Sequence, residues 1–574
     1  MKKINRLTLV LTLMAAGLFA GCASDEEATR ENQKIALDGS HFKFTEVAYQ
    51  ADQAVTRAAA SVKPTTVDLG DGLEAEVSVT PDAPTGKTRA VDPISDGKYT
   101  ILAFDPTTHD LQGKLEGSVT GGVFTPDAGQ KLLLDPGTYD FTCFSEPVEY
   151  DEPNNRLVVY HLLTKNPTIG HVQATIAGDD YEVAFNMEHK AIRVRFNITS
   201  DILSENTPID AYLRGVVFGP WYWWRDWYTA YSGVLNNTGN YDYSADAPLN
   251  FKTVAPVTTQ AGTTYTSDYV YMLPGRSSYD YISNYTLHFT AGTIGGGSLA
   301  SKTINLSGAT FPTGFQWDYN QSITINVNVK GQLYLFEDGK ARVYAGRGTH
   351  TPIGLVIQQK WEPTNQKGMA CALEIIKKSV PPAYAWEDET KTLPSNPDHL
   401  NTTVYNGLHD GQNDMNGYNW TWDANSTKDH VVRGDEKEKY PAFYYAGHYA
   451  PSNATITGTN IGKWYIPAAG EVMELFRLFG TVTVPANEPW RGYCNMAQTD
   501  IDKMLAAFTK VNSGLVLKGK FLWTSTVCDA ANTGGFGPYT PVSFNINGNG
   551  SGQVWWPTFN KVGGNFYILP FVKY

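Results

Sequence analysis

Cysteine is scarce: the 574-residue chain has five, Cys22, Cys143, Cys371, Cys494 and Cys528. None stands at the short paired spacing of a zinc site, and so few cannot staple a fold of this length. Cys494 and Cys528 could pair in an oxidising compartment; buried free thiols are the alternative. Basic residues are outnumbered, 45 against 58 acidic, for a net charge of -13. That balance disfavours nucleic acid and an anionic membrane surface as partners. Beyond the N-terminal segment no apolar run reaches the roughly 20 residues of a spanning helix. Catalytic motifs are missing too. There is no HExxH and no GxSxG, and Thr85-Gly86-Lys87-Thr88 ends like a P-loop but has Pro81 where the first glycine belongs. Gly295, Gly297 and Ala300 match GxGxxA with no helix to follow. His409-Asp410-Gly411-Gln412-Asn413-Asp414 is oxygen-rich, yet lacks the EF-hand spacing and its closing glutamate. No catalytic residue, cofactor site or metal site is therefore assigned, and the chain reads as a non-enzyme.

What is present begins at the N-terminus. Lys2, Lys3 and Arg6 precede an apolar stretch over residues 7–21, which ends Leu18-Phe19-Ala20-Gly21-Cys22. A basic start, a short apolar core and small residues before a cut mark a secretory signal. The ending resembles a bacterial lipobox, with Phe19 where leucine is usual. It implies a lipid on Cys22 and an outer-membrane anchor; a secreted protein with an incidental cysteine is the alternative. Ser24-Asp25-Glu26-Glu27 resembles the surface-export signal of Bacteroidetes lipoproteins, although an acidic run is also an ordinary solvated linker.

The body of the chain predicts strands. Ile192, Val194, Phe196 and Ile198 alternate with polar residues, as do Ile323, Ile325, Val327 and Val329. Period two with one apolar face is the pattern of half-buried strands. Asp135-Pro136-Gly137 is a turn signal feeding the alternating Tyr139, Phe141 and Cys143. The texture changes near Lys330. Val472, Leu475, Phe476 and Phe479 share one helical face after Pro467, and Ile501, Met504, Leu505 and Phe508 do so after Thr499, with Thr499 and Asp502 spaced like a cap. These patterns predict a mainly β chain with a signal over 1–21 and an α+β domain over 331–574.

Aromatic residues make up 13% of the chain, and six fall within Trp221-Tyr222-Trp223-Trp224-Arg225-Asp226-Trp227-Tyr228. Strand alternation would bury half of them. Trp221, Trp223, Trp224 and Trp227, with Trp420, Trp422, Trp555 and Trp556 further on, are candidate ligand-binding aromatics, since flat rings stack on sugars and anchor interfaces. Packing between domains is the competing reading.

Several of these segments share a family resemblance. Lys98-Tyr99-Thr100-Ile101-Leu102-Ala103-Phe104-Asp105 and Leu132-Leu133-Leu134-Asp135-Pro136-Gly137-Thr138-Tyr139 resemble the first domain of Bacteroidales fimbrillins. Met187-Glu188-His189-Lys190-Ala191, Tyr271-Met272-Leu273-Pro274-Gly275 and Trp317-Asp318-Tyr319 resemble the second. Trp464-Tyr465-Ile466-Pro467 with Glu471, and Leu522-Trp523-Thr524-Ser525-Thr526, resemble a C-type-lectin-like module, without the calcium and sugar residues of true lectins. The resemblance implies a propeptide over 22–57 and two tandem transthyretin-like β-sandwich fimbrillin domains over 58–180 and 181–330, followed by a lectin-like α+β domain.

It also implies a mechanism. A trypsin-like cut after a basic residue frees an N-terminal strand, and a donor strand from another fimbrial subunit fills the groove. Such β-augmentation draws affinity from the backbone and register from alternate side chains. Arg57 is the expected cut, with Arg89 as the alternative. Arg57 spares the alternating Ala75, Val77 and Val79, and discards Ile35, Leu37, Phe42 and Phe44 as the groove strand. A folded C-terminal domain ending in the apolar Tyr567-Ile568-Leu569-Pro570-Phe571-Val572, where stalk subunits carry a donor tail, implies a tip subunit that binds a glycan or protein on host or bacterial surfaces. A glycan-binding lipoprotein that stays lipid-anchored is the alternative.

Overall fold

A computed structural model describes residues 34–49, 64–82, 94–177, 181–215, 223–240, 246–274, 285–306, 318–376, 384–387, 399–483, 491–512, 514–529, 539–546, 553–557 and 566–574. The fold is mainly β. A seven-stranded sheet runs Phe42–Glu46, Val183–His189, Thr168–Ile176, Gly137–Ser145, Gly97–Phe104, Leu111–Thr120, Val123–Pro126. One face buries Ile101, Leu115, Phe141 and Cys143 with Phe185 and Met187. The other buries Leu102, Phe104, Phe144 and Ile169 beneath a four-stranded sheet of Val148–Asp151, Arg156–Tyr160, Trp223–Thr229 and Leu235–Asn240.

A second layer pair follows. Ile192–Ser200 runs parallel to Ser322–Gly331, which pairs antiparallel with Leu73–Pro81. The predicted alternation holds: Ile192, Val194, Phe196, Ile198, Ile323, Ile325, Val327 and Val329 are all buried. They share a core with Leu213, Leu287, Phe289 and Ile304 from a five-stranded sheet.

The sandwich boundaries differ from a division at residue 180. Leu73–Pro81, expected in the first sandwich, lies in the second sheet between Ser322–Gly331 and Thr65–Gly70. Val183–His189 and Trp223–Thr229, expected in the second, belong to the first sandwich. Long-range pairing decides this, and a β pattern carries only a face, not a partner.

Directly after Ser322–Gly331, Leu333–Phe336 opens a six-stranded sheet in which Phe571–Lys573 pairs with Met369–Ala372 on one side and Trp464–Tyr465 on the other. Helices span Ala469–Arg477 and Gln498–Thr509, and bury Val472, Leu475, Phe476, Ile501, Met504 and Phe508 as predicted. Thr499 is not a cap: Ala497 holds that position, and its carbonyl already accepts from Asp500 and Ile501. The buried core is continuous from the second sandwich into this region, where Tyr334 donates to the Ala507 carbonyl at 2.7 Å. Cys143, Cys371, Cys494 and Cys528 are buried and form no disulfide with one another. Among the described residues no helix is long and apolar enough to cross a membrane.

Candidate functional site: the groove under the N-terminal strand

Residues 34–49 lie against the first sandwich as a separate strap. Ile35–Leu37 pairs antiparallel with Leu132–Leu134. The chain then turns at Asp38, whose carboxylate accepts from the Ser40 amide at 3.0 Å and its hydroxyl at 2.6 Å. Gly39 is needed here, because a Cβ would stand 2.3 Å from the Phe124 carbonyl. Phe42–Glu46 then adds to the sheet edge, parallel to Val183–His189, with Phe44 opposite Phe185.

Alternation sends Phe42, Phe44 and Glu46 inward and leaves Lys43 and Thr45 exposed. Phe42 and Phe44 close on Phe124 and Phe185 at ring separations of 5.5–6.3 Å. Leu37 and Phe42 are fully buried, and each such side chain contributes about 2 kcal/mol by leaving water. Ile35, Leu37, Phe42 and Phe44 thus fill a groove lined by Leu132, Leu134, Phe124, Val183 and Phe185.

Glu46 ends the strand in a different way. Its carboxylate is buried and accepts from the Ser95 amide at 2.8 Å, the Ser95 hydroxyl at 2.9 Å and the Asn166 amide at 3.2 Å, with His189 Nε2 3.6 Å away. Burial pushes the His189 imidazole down to about 4, against a bond to the Val47 backbone, with Arg193 adding to the fall. His189 is therefore neutral at pH 7. Tyr49 stacks on His189 at 3.7 Å, donates to Asn166 at 2.8 Å and lies 4.1 Å beneath the Arg193 guanidinium. Asn320 donates to the Ala48 carbonyl at 3.0 Å. The strap thus ends against residues of the second sandwich.

Cys22, Arg57, Arg89 and Trp221 lie outside the described residues. Trp223 and Trp224 fall on the Trp223–Thr229 strand. Trp227 is half-buried between two guanidiniums, Arg156 at 4.4 Å and Arg225 at 4.9 Å from its ring. Trp420 corrects the sequence reading: it is buried, and its indole N–H donates to both Asp414 oxygens, so it offers no face to a ligand. Trp422 is also held in packing, donating to the Trp464 carbonyl at 2.7 Å under the Lys463 ammonium. Trp555 and Trp556 lie on Gln553–Pro557, paired with Arg491–Asn495. Of these, Trp227, Trp420 and Trp422 stand in separate surroundings.

The oxygen-rich loop is structural as well. Asp414 is fully buried and accepts from the Thr526 hydroxyl at 2.7 Å and the Asn416 amide at 3.0 Å. Among the described residues no group of three or more His, Cys, Asp or Glu could hold a metal ion. Sequence reasoning missed Glu46, Ser95, Asn166 and His189. One signal was available: a carboxylate occupies the third inward position after Phe42 and Phe44.

No family model matches the chain, and no curated protein does. Among solved structures it is similar to a fimbrial protein from Bacteroides ovatus, 11% identical over 94% of this chain and 99% of that one, with a TM-score of 0.26. It is also similar to a candidate cell adhesion protein from Bacteroides fragilis, 15% identical over 50% of this chain and 93% of that one, TM-score 0.28. A third, from Bacteroides uniformis, is 14% identical over 41% and 92%, TM-score 0.27.

Proposed function

We propose that the chain is the tip subunit of a bacterial surface fimbrium, exported as a lipoprotein on Cys22, cut after Arg57 and assembled by donor-strand exchange. The observation that carries this reading is the seat of Phe42–Glu46. It is a five-residue edge strand, paired on one side only among the described residues, whose inward side chains fill an apolar groove. Arg57 lies between this strand and the rest of the fold, so a cut there separates the strap from the chain while leaving every other strand in place. An opened edge then presents unpaired backbone groups and bare apolar side chains, the template for an incoming strand.

Arg57 is preferred over Arg89 because the intervening Leu73–Pro81 is paired on both sides. The tip assignment draws on Phe571–Lys573, also paired on both sides, so this stretch is not free to leave as a donor. Recognition of a surface glycan or protein is assigned to the region after Lys330. The test is Arg57→Ala in the native organism. The variant should accumulate as a surface-displayed, lipidated precursor and be missing from sheared fibres. Its presence in fibres would refute the reading.

A further inference from the structure

The groove is not wholly apolar, and its polar end selects what can replace the strap. We infer that the incoming strand must carry a carboxylate at the Glu46 position, so that the partner is an extended segment with two alternating large apolar side chains followed, at the next inward position, by Asp or Glu. This rests on the donor-strand reading above and names the partner's chemistry.

Three donors converge on Glu46: the Ser95 amide, the Ser95 hydroxyl and the Asn166 side-chain amide, while the His189 ring stands 3.6 Å from Oε1. Their backbones are anchored outside the strap, while the Asn166 side chain and the His189 ring also meet the strap's own Tyr49. Tyr99 donates to the Ser95 carbonyl at 2.8 Å, and Ser145 donates to the Asn166 carbonyl at 2.9 Å. His189 is itself the last residue of Val183–His189 and is buried. A strand that set an apolar side chain here would take the acceptor from the Ser95 amide and hydroxyl and leave the Asn166 amide only the His189 ring, 2.9 Å away. A buried donor left unmade costs more than a made bond gains, so an apolar third side chain is disfavoured. Bonds to an ionised acceptor are also the stronger kind. Glu46 thereby fixes register: a slip by one residue would put an outward side chain at the donors, and a slip by two would put Phe44 or Ala48 there, neither with a side-chain acceptor.

The test uses the full chain carrying a specific protease site inserted beside Arg57 and cut once, so that the strap stays seated non-covalently. Fluorescent peptides copying residues 34–49 are then added and their affinity measured by anisotropy as they displace it. The parent peptide should bind, and Lys43→Ala, on the exposed side, should bind within twofold of it. Glu46→Ala and Glu46→Leu should each bind at least tenfold more weakly, and Glu46→Gln, which keeps one acceptor oxygen but sets an NH2 where the second oxygen stood, should recover only part of the loss. A Glu46→Leu peptide that binds as well as the parent would overturn the carboxylate requirement and leave strand exchange standing. A parent peptide that never displaces the strap would overturn both.

Discussion

Phe42–Glu46 and Leu73–Pro81 are both amphipathic strands near the N-terminus, yet they stand in opposite relations to the fold. The first is an edge strand with five parallel partners on one side. The second is nine residues long, lies between Ser322–Gly331 and Thr65–Gly70, and buries Leu73, Ala75, Val77 and Val79. Removing an edge strand uncovers one groove. Removing a central strand opens the core from within, since Leu73 to Val79 belong to the same buried cluster as Phe196 and Val327. Similar patterns can thus mark a detachable element and an indispensable one; pairing on one side or two separates them.

The contrast can be broken by substitution. Val77→Asp places an unpaired charge in the second sandwich and should cost on the order of 4 kcal/mol or more, seen as loss of cooperative unfolding in a denaturant titration. Phe42→Asp should instead release only the strap: the rest of the molecule should keep its unfolding midpoint, while Val183–His189 loses hydrogen-exchange protection. A global collapse caused by Phe42→Asp would erase the distinction.

A smaller effect comes from Phe42→Ala, which should weaken the strap by about 3 kcal/mol, read as faster exchange at the Val47 amide that now bonds to Met187. If the two strands were equally committed, exchange across Leu73–Pro81 would rise in step.

In the C-terminal region the comparison takes a pH-dependent form. Glu471 is fully buried, accepts from the Ala468 amide at 2.9 Å, and burial pushes its carboxyl up to about 8. A folded-state value above the unfolded one means that its contribution is complete below about pH 4.5 and is lost as pH rises through about 8. Glu471→Gln should flatten the stability profile across that window, a change on the order of a few kcal/mol at its alkaline end. An unchanged profile would show that Glu471 is ionised throughout. The smallest effect is expected at Trp227→Ala, which removes two half-buried cation–π contacts worth roughly 1 kcal/mol together. Loss of binding on a glycan array without loss of stability would mark Trp227 as a ligand contact.

The strands were legible where one face is less buried than the other: Ile192–Ser200 alternates buried and half-buried along its length, and Ser322–Gly331 does so from Ile325 to Lys330. Both long C-terminal helices were legible for the same reason, through period 3.6. Within the strap the apolar residues could be read as a groove filler, but the carboxylate pin could not. Ser95, Asn166 and His189 are 49, 120 and 143 residues from Glu46 and follow no common spacing. Trp420 misled because composition does not report burial: Trp420 and Trp227 look alike in sequence, and one lies in the core over Asp414 while the other lies between arginines.

Local chemistry by itself determined which segments would be strands, where helices begin to appear, and which residues of the N-terminal strap turn inward. Those properties depend on side chains within a few positions of each other, so the chain carries them wherever it folds. Only the tertiary structure decided that Leu73–Pro81 joins the second sheet, that Trp223–Thr229 covers the first, and that a strand ending in Glu46 runs parallel to Val183–His189. Strand pairing is a backbone interaction nearly indifferent to side-chain identity, so its partners are chosen by the packing of whole layers, and that choice is made across more than a hundred residues at once.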